Sequence, residues 1–78
     1  MKKLPLVKVY WQDTCSDSRW ADMDEACKER GIPCCSIGWL LRNDKREVVI
    51  TPMKRTDMRR CNDVQIIPKG CVTAVRKV

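Results

Sequence analysis

The sequence predicts a mainly β fold of the α+β kind: one domain over residues 1 to 78, built as a small five-stranded barrel with one short helix inserted after the first strand. Three observations carry this reading. LVKVYWQD, residues 6 to 13, alternates apolar and polar side chains. A polar RNDKRE separates two apolar runs, and IIPKGCV forces a corner just before a valine-rich terminal run.

Taken in order, the first strand places Val7, Val9 and Trp11 on one face and Lys8, Tyr10 and Gln12 on the other, as a strand with one wet side requires. TCSDSRWAD is rich in turn formers, and Asp22 three residues before Glu25 is an acidic relative of the capping box, which satisfies free amides at a helix start. A helix of about two turns is therefore expected from near Met23. It would carry Met23, Ala26, Cys27 and Arg30 on one stripe and Lys28 and Glu29 outward, with Gly31 as a left-handed stop before Ile32 and Pro33. So short a helix persists only when packed on something.

In CCSIGWLLR the period changes to two: Cys35, Ile37, Trp39 and Leu41 share one face, and Cys34, Ser36, Gly38, Leu40 and Arg42 share the other. Gly38 permits a sharp bend or a close backbone approach. EVVITPM is the β-branched return strand after RNDKRE. Residues 53 to 63, MKRTDMRRCND, form the longest polar segment, read as a loop and a candidate working surface. DVQIIP is the next strand; Pro68 has no amide to donate, and Lys69-Gly70 makes the turn. Three residues suit a single 3₁₀ turn that swings the chain into CVTAVRKV. Val72, Val75 and Val78 are spaced as in a helix, but valine and threonine at this density favour a strand with a bulge. Such corners let five strands close with few residues.

This layout resembles the SH3-like and Sm-like small β-barrels. The residues that carry the likeness are the bent strand with GWLL, the polar hairpin, the VVI strand and IIPKG leading into the terminal strand. The resemblance implies a 3₁₀ turn before the last strand, with IIPKGCV standing where Sm proteins carry an apolar-Arg-Gly-apolar step. Sm proteins begin with a helix, whereas this helix is expected after the first strand. VYWQD, SRW, CSIGWLL, VVI and VQIIPKGCVTAVRKV together are also similar to short phage and prophage reading frames of unassigned function, over nearly the whole chain. That likeness implies a virus-encoded accessory protein, a class with many small non-enzymatic antagonists of host enzymes and defence systems. It implies no catalytic or binding residue.

The residue inventory argues against an enzyme. The chain has no histidine, which removes Ser-His, Cys-His and imidazole acid–base chemistry. Its three glycines form no phosphate-cradling loop. Six carboxylates, Asp13, Asp17, Asp22, Asp24, Glu25 and Glu29, cluster early, but their spacing fits no calcium loop. The opening MKKLPLVKVYWQD is broken by Pro5 and Lys8, unlike an export signal, and no run approaches the roughly 20 apolar residues of a membrane span. A bacterial cytoplasm is the expected setting. There, Cys15, Cys27, Cys34, Cys35, Cys61 and Cys71 read as buried or half-buried free thiols. Zinc and disulfides are the alternatives; neither a C-x-x-C pair nor a histidine supports zinc, and no cofactor is predicted.

Charge has a direction. Residues 1 to 31 hold six basic and six acidic side chains, whereas residues 32 to 78 hold ten basic and four acidic, the source of the whole net charge of +6. Arg42, Lys45 and Arg46 in the hairpin and Lys54, Arg55, Arg59 and Arg60 in the loop are the candidate binding residues. The plainer account is that they keep a small domain soluble. Trp11 and Trp39 are expected in the core, Tyr10 on the outward face, and Trp20 as an exposed anchor in the polar insert. The expected role is stoichiometric binding of a host or defence protein, or of its nucleotide ligand, with a homo-oligomer compatible with exposed sheet edges. RNA or DNA binding by the basic surface is the alternative.

Overall fold

A computed structural model describes residues 3–16 and 18–78; Asp17, one of the six early carboxylates, lies outside the described residues. The chain is mainly β. Strand β1 spans Leu6–Asp13, helix α1 Met23–Ala26, β2 Ile32–Asn43, β3 Glu47–Thr51, β4 Met53–Lys54, β5 Cys61–Asn62 and β6 Gln65–Pro68. A 3₁₀ turn, Lys69–Cys71, leads into β7, Val72–Lys77. Five strands form one antiparallel sheet in the order β6-β3-β2-β1-β7, and β4 and β5 pair separately.

The core is small and sits on one face of the five-stranded sheet. Val7 and Val9 from β1, Val48 and Ile50 from β3 and Ile67 from β6 are its buried cluster, with Trp11, Leu40, Cys71, Val72 and Val75 packed against it. The alternation of β1 therefore holds: Val7, Val9 and Trp11 face in and Tyr10 faces out. The indole N–H of Trp11 donates to Ser36 Oγ at 3.0 Å, so the half-buried ring keeps its polar atom satisfied.

Strand β2 turns the opposite face inward from the one its apolar residues mark. Register sets Val9 against Ser36 and Val7 against Gly38, which puts Ser36, Gly38 and Leu40 inside and leaves Ile37 53% exposed opposite Lys8. A Cβ on Gly38 would stand 2.7 Å from the Thr51 carbonyl oxygen, so the inward position at the bend has room for no side chain. Trp39 consequently lies on the outer face rather than in the core, half-buried, with the Lys54 ammonium 4.9 Å from its ring centroid. Leu41 is the extra residue of a bulge between Leu40, opposite Ile50, and Arg42, opposite Val49.

The terminal bulge is where the valine spacing placed it. Trp11 pairs with Val72 and Tyr10 with Ala74, leaving Thr73 as the extra residue, its hydroxyl donating to the Tyr10 carbonyl at 3.0 Å. One added residue is what brings Val72 and Val75, three apart, to the same inner face.

Four further expectations are corrected. The sheet is not closed: β6 and β7 are its two edges, because β6 has four residues, all engaged with β3, and Pro68 has no amide to extend the ladder. Residues 53 to 63 are not simply a loop but carry the β4–β5 ladder. Helix α1 is one turn rather than two and buries nothing; Asp22 does cap it, accepting from the Glu25 N–H at 3.1 Å. Gly31 has no left-handed backbone; it is needed because a Cβ there would meet the Asp13 carbonyl oxygen at 2.6 Å, where β1 and β2 part.

Beyond that point the described residues from Gln12 to Arg30 are all exposed. They form an arm at the end of the β1–β2 hairpin, and the molecule measures 55 × 20 × 20 Å with a radius of gyration of 16.1 Å. A compact chain of this length would have about 11 to 12 Å, so the arm stands off the sheet.

Candidate binding groove

Thr51 shapes the groove. It is fully buried at the end of β3, and its hydroxyl lies 2.6 Å from the Asn62 carbonyl and 2.9 Å from the Met53 carbonyl, donating to one at a time while accepting the Met53 N–H at 3.4 Å. This pins both strands of the β4–β5 hairpin to the sheet. The hairpin's own loop is closed by the Arg55 N–H donating to the Arg60 carbonyl at 2.9 Å and by the Arg60 N–H donating to that of Met58 at 2.9 Å. Asp63, just past β5, takes a left-handed backbone at φ 57°, with its N–H held 2.9 Å from Asn62 Oδ1.

Against this hairpin lie two segments from elsewhere. The Leu40 N–H donates to the Pro5 carbonyl at 2.8 Å, fixing the chain before β1, and the bulge presents Leu41. Between them is an open groove of about 530 Å³ lined by Lys3, Leu4, Leu41, Lys54, Arg55, Thr56, Met58, Arg59, Arg60 and Cys61. Among the described residues five cations and the aliphatic side chains of Leu4, Leu41 and Met58, its apolar floor, line it, and no carboxylate does.

The cations are not equivalent. Arg55 grips Asp57 through both Nε and Nη2, at 2.8 and 2.6 Å, and Lys54 is drawn over Trp39. Lys3, Arg59 and Arg60 make no ion pair among the described residues and are the charges left to face a ligand.

The structure separates the other predicted residues from this cluster. Arg42 is engaged by Asp44 at 3.1 Å and by Glu47, while Lys45 and Arg46 stand at the exposed tip of the β2–β3 hairpin. Lys69 donates to Asn43 Oδ1, and its backbone N–H donates to the Arg46 carbonyl at 2.7 Å. Arg42 and Lys69 thereby hold the turn together. Tyr10 lies midway along β1 on the outer face, and Trp20 is in the arm, fully exposed at 103%. Leu4, Leu41 and Met58 were not among the predicted binding residues, because each comes from a different segment and only the fold brings the three together.

The turn has a pH signature. The N–H groups of Glu47 and Arg46, then the charges of Arg42 and Lys69, hold the Asp44 carboxyl below its ordinary range. A lowered folded-state value means that the stabilisation is present above the unfolded aspartate pKa of about 3.9 and is lost as pH falls through the lowered value. Asp44→Asn keeps an acceptor oxygen but has no such titration. The gap in thermal midpoint between wild type and variant should therefore narrow as pH falls below about 4; a gap identical at neutral and acid pH would contradict the assignment.

Four of the six cysteines are exposed rather than buried, with Cys34 and Cys71 half-buried, and all six are free thiols. Among the described residues no group of three or more histidine, cysteine or carboxylate side chains could hold a metal ion, and no helix is long and apolar enough to cross a membrane. No family model matches the chain, and neither a curated protein nor a solved structure matches it.

Proposed function

We propose that the chain is a non-enzymatic binding protein that works stoichiometrically, in the manner of small phage accessory proteins, by holding an acidic segment of a host or defence protein in the β4–β5 groove. The observation that carries this reading is the groove's lining: Lys3, Arg59 and Arg60, which have no acidic partner among the described residues, beside Leu4, Leu41 and Met58. An acidic segment with one large apolar side chain answers both features, the carboxylates meeting the guanidinium groups and the apolar group covering the floor. A nucleotide or nucleic acid would answer only the first. Bases are held largely by stacking on aromatic rings, and among the described residues no aromatic side chain lines the groove: Tyr10 and Trp20 lie outside it, and the ring of Trp39 beside it is covered by Lys54. The setting in this reading is the cytoplasm of a bacterial host. The fold is taken as an open relative of the SH3-like and Sm-like barrels, supported by the five-stranded sheet, the terminal strand returning beside β1 and the 3₁₀ turn that precedes it.

Fluorescence anisotropy with a labelled peptide of alternating glutamate and leucine tests the proposal. Wild type should bind it, and Arg59→Ser with Arg60→Ser should weaken binding by about tenfold or more. Both residues are exposed, so the melting temperature should hardly move. A random single-stranded oligonucleotide is the comparison. Tight oligonucleotide binding with a steep salt slope, and no peptide binding, would replace the protein segment with nucleic acid.

A further inference from the structure

The arm carries the complement of the groove. Residues 13 to 31 hold six acidic and three basic side chains, in a protein whose net charge is +6. Within this acidic segment stand two large apolar side chains with nothing over them, Trp20 at 103% and Met23 at 83% exposure, flanked by Asp22, Asp24 and Glu25. The one-turn helix buries no residue in its own chain, although a helix of that length depends on packing for its persistence. At the other end, Lys3, Arg59 and Arg60 line the groove with its aliphatic floor and meet no carboxylate among the described residues.

We propose that the acidic arm of one copy docks into the basic groove of a second copy, with Trp20 or Met23 on the floor and the flanking carboxylates on Arg59 and Arg60. The inference rests on the reading of the groove as an acceptor for acidic, apolar-bearing segments, and it names this chain's own arm as such a segment. In the structure a copy's arm does not fill its own groove. The arm leaves the paired hairpin at Asp13 and Ile32, and the groove begins beyond Leu6 and Trp39, the far end of the same eight-residue ladder. The seven steps from Leu6 to Asp13, at about 3.3 Å each, put roughly 23 Å of paired sheet between the two, and the arm stands off the end away from the groove. Arm and groove are different surfaces, so the contact is heterologous: each copy offers one arm and one groove, and assembly runs head to tail into a ring or an open chain. An acidic partner segment and the second copy's arm then compete for one site, which makes partner capture weaker as the protein becomes more concentrated.

Sedimentation velocity over about 1 µM to 1 mM, the range of small and transient interfaces, reads the assembly. Wild type should gain mass with concentration, and the midpoint should rise about tenfold as salt increases from 50 to 500 mM, because screening weakens exposed charge pairs. Trp20→Ser with Met23→Ser, which lack an arm anchor, and Arg59→Ser with Arg60→Ser, which lack the groove charges, should each stay monomeric. All four positions are exposed, so both variants should fold. Mixed together they retain one functional arm and one functional groove, and should form a one-to-one pair and nothing larger. A wild type that remains monomeric throughout, or either variant assembling as wild type does, would overturn the inference. Binding of the glutamate–leucine peptide to the arm variant separates this outcome from the broader reading. Peptide bound without wild-type assembly leaves the groove's function standing and removes the arm as its ligand; assembly without peptide binding does the reverse.

Discussion

Gly38→Ala is expected to destabilise the fold by about 3 kcal/mol or more, at or above the upper end of ordinary overpacking. The added Cβ would stand 2.7 Å from the Thr51 carbonyl oxygen, 3.0 Å from its carbonyl carbon and 3.3 Å from Ile50 Cβ. The first two are backbone atoms of the neighbouring strand, so no rotamer change relieves them, and either β2 or β3 must shift. Thr51 is the worst residue to displace, because its hydroxyl also holds the Asn62 and Met53 carbonyls of the groove-bearing hairpin. For a chain of 78 residues, whose total stability is on the order of 4 to 12 kcal/mol, the loss is a large share. Urea midpoints at unchanged m-value would measure it. Gly70→Ala is the control: nothing lies within 4 Å of its Cβ position and its backbone is not left-handed, so a gain of about 0.4 to 1 kcal/mol is expected. Small and equal effects at the two glycines would mean that the bend in β2 yields.

The same glycine shows where sequence reading reaches its limit. The bounds of β1, the polar hairpin, the Asp22 cap and the 3₁₀ corner at Lys69–Cys71 were legible, because each is decided by residues a few positions apart. The bulge at Thr73 was legible too, since valines three apart cannot share a strand face without an extra residue. The inward face of β2 was not. Its odd-numbered positions are the more apolar, yet the register with β1 turns Ser36 and Gly38 inward: one accepts the Trp11 indole N–H, and the other sits where the strands approach too closely for a side chain. Small inward residues are the trace of tight bending, and alternation scoring passes over them.

The site divides in the same way. Lys54, Arg55, Arg59 and Arg60 announce themselves as a run of charge. That Arg42 and Arg55 are engaged by Asp44, Glu47 and Asp57, leaving Arg59 and Arg60 to face a ligand, depends on side-chain geometry that spacing does not encode. The floor depends on long-range placement: Leu41 reaches it through a bulge, Leu4 through the Leu40–Pro5 hydrogen bond and Met58 through the hairpin loop. The standing-off of the arm was hidden for a related reason. A capped helix start looks the same in sequence whether or not the helix packs on anything.

Ile50→Ala is expected to cost about 3 to 4 kcal/mol, within the range for removing most of a buried isoleucine. Ile50 is 1% exposed and belongs to a cluster whose other members are Val7, Val9, Val48 and Ile67, so few neighbours exist to close over the space left behind. Collapse is further limited because the inward position beside it is Gly38, which has no side chain to move, and because Leu40, directly opposite in register, is held by its N–H to the Pro5 carbonyl. The cavity should therefore persist, placing the cost toward the middle of the range and not at its lower end. Adding Gly38→Ala to this variant separates two accounts of the bend. If the Ile50 side chain were the obstacle at Gly38, the new methyl would fill the vacated space and the double variant would recover stability. The closest atom is instead the Thr51 carbonyl oxygen, which truncating Ile50 leaves in place, so the double variant should be less stable than Ile50→Ala alone. Recovery in urea unfolding would mean that the β3 backbone retreats once its side chain is cut back, and the rigid close approach that orders β2, Thr51 and the groove would have to be abandoned.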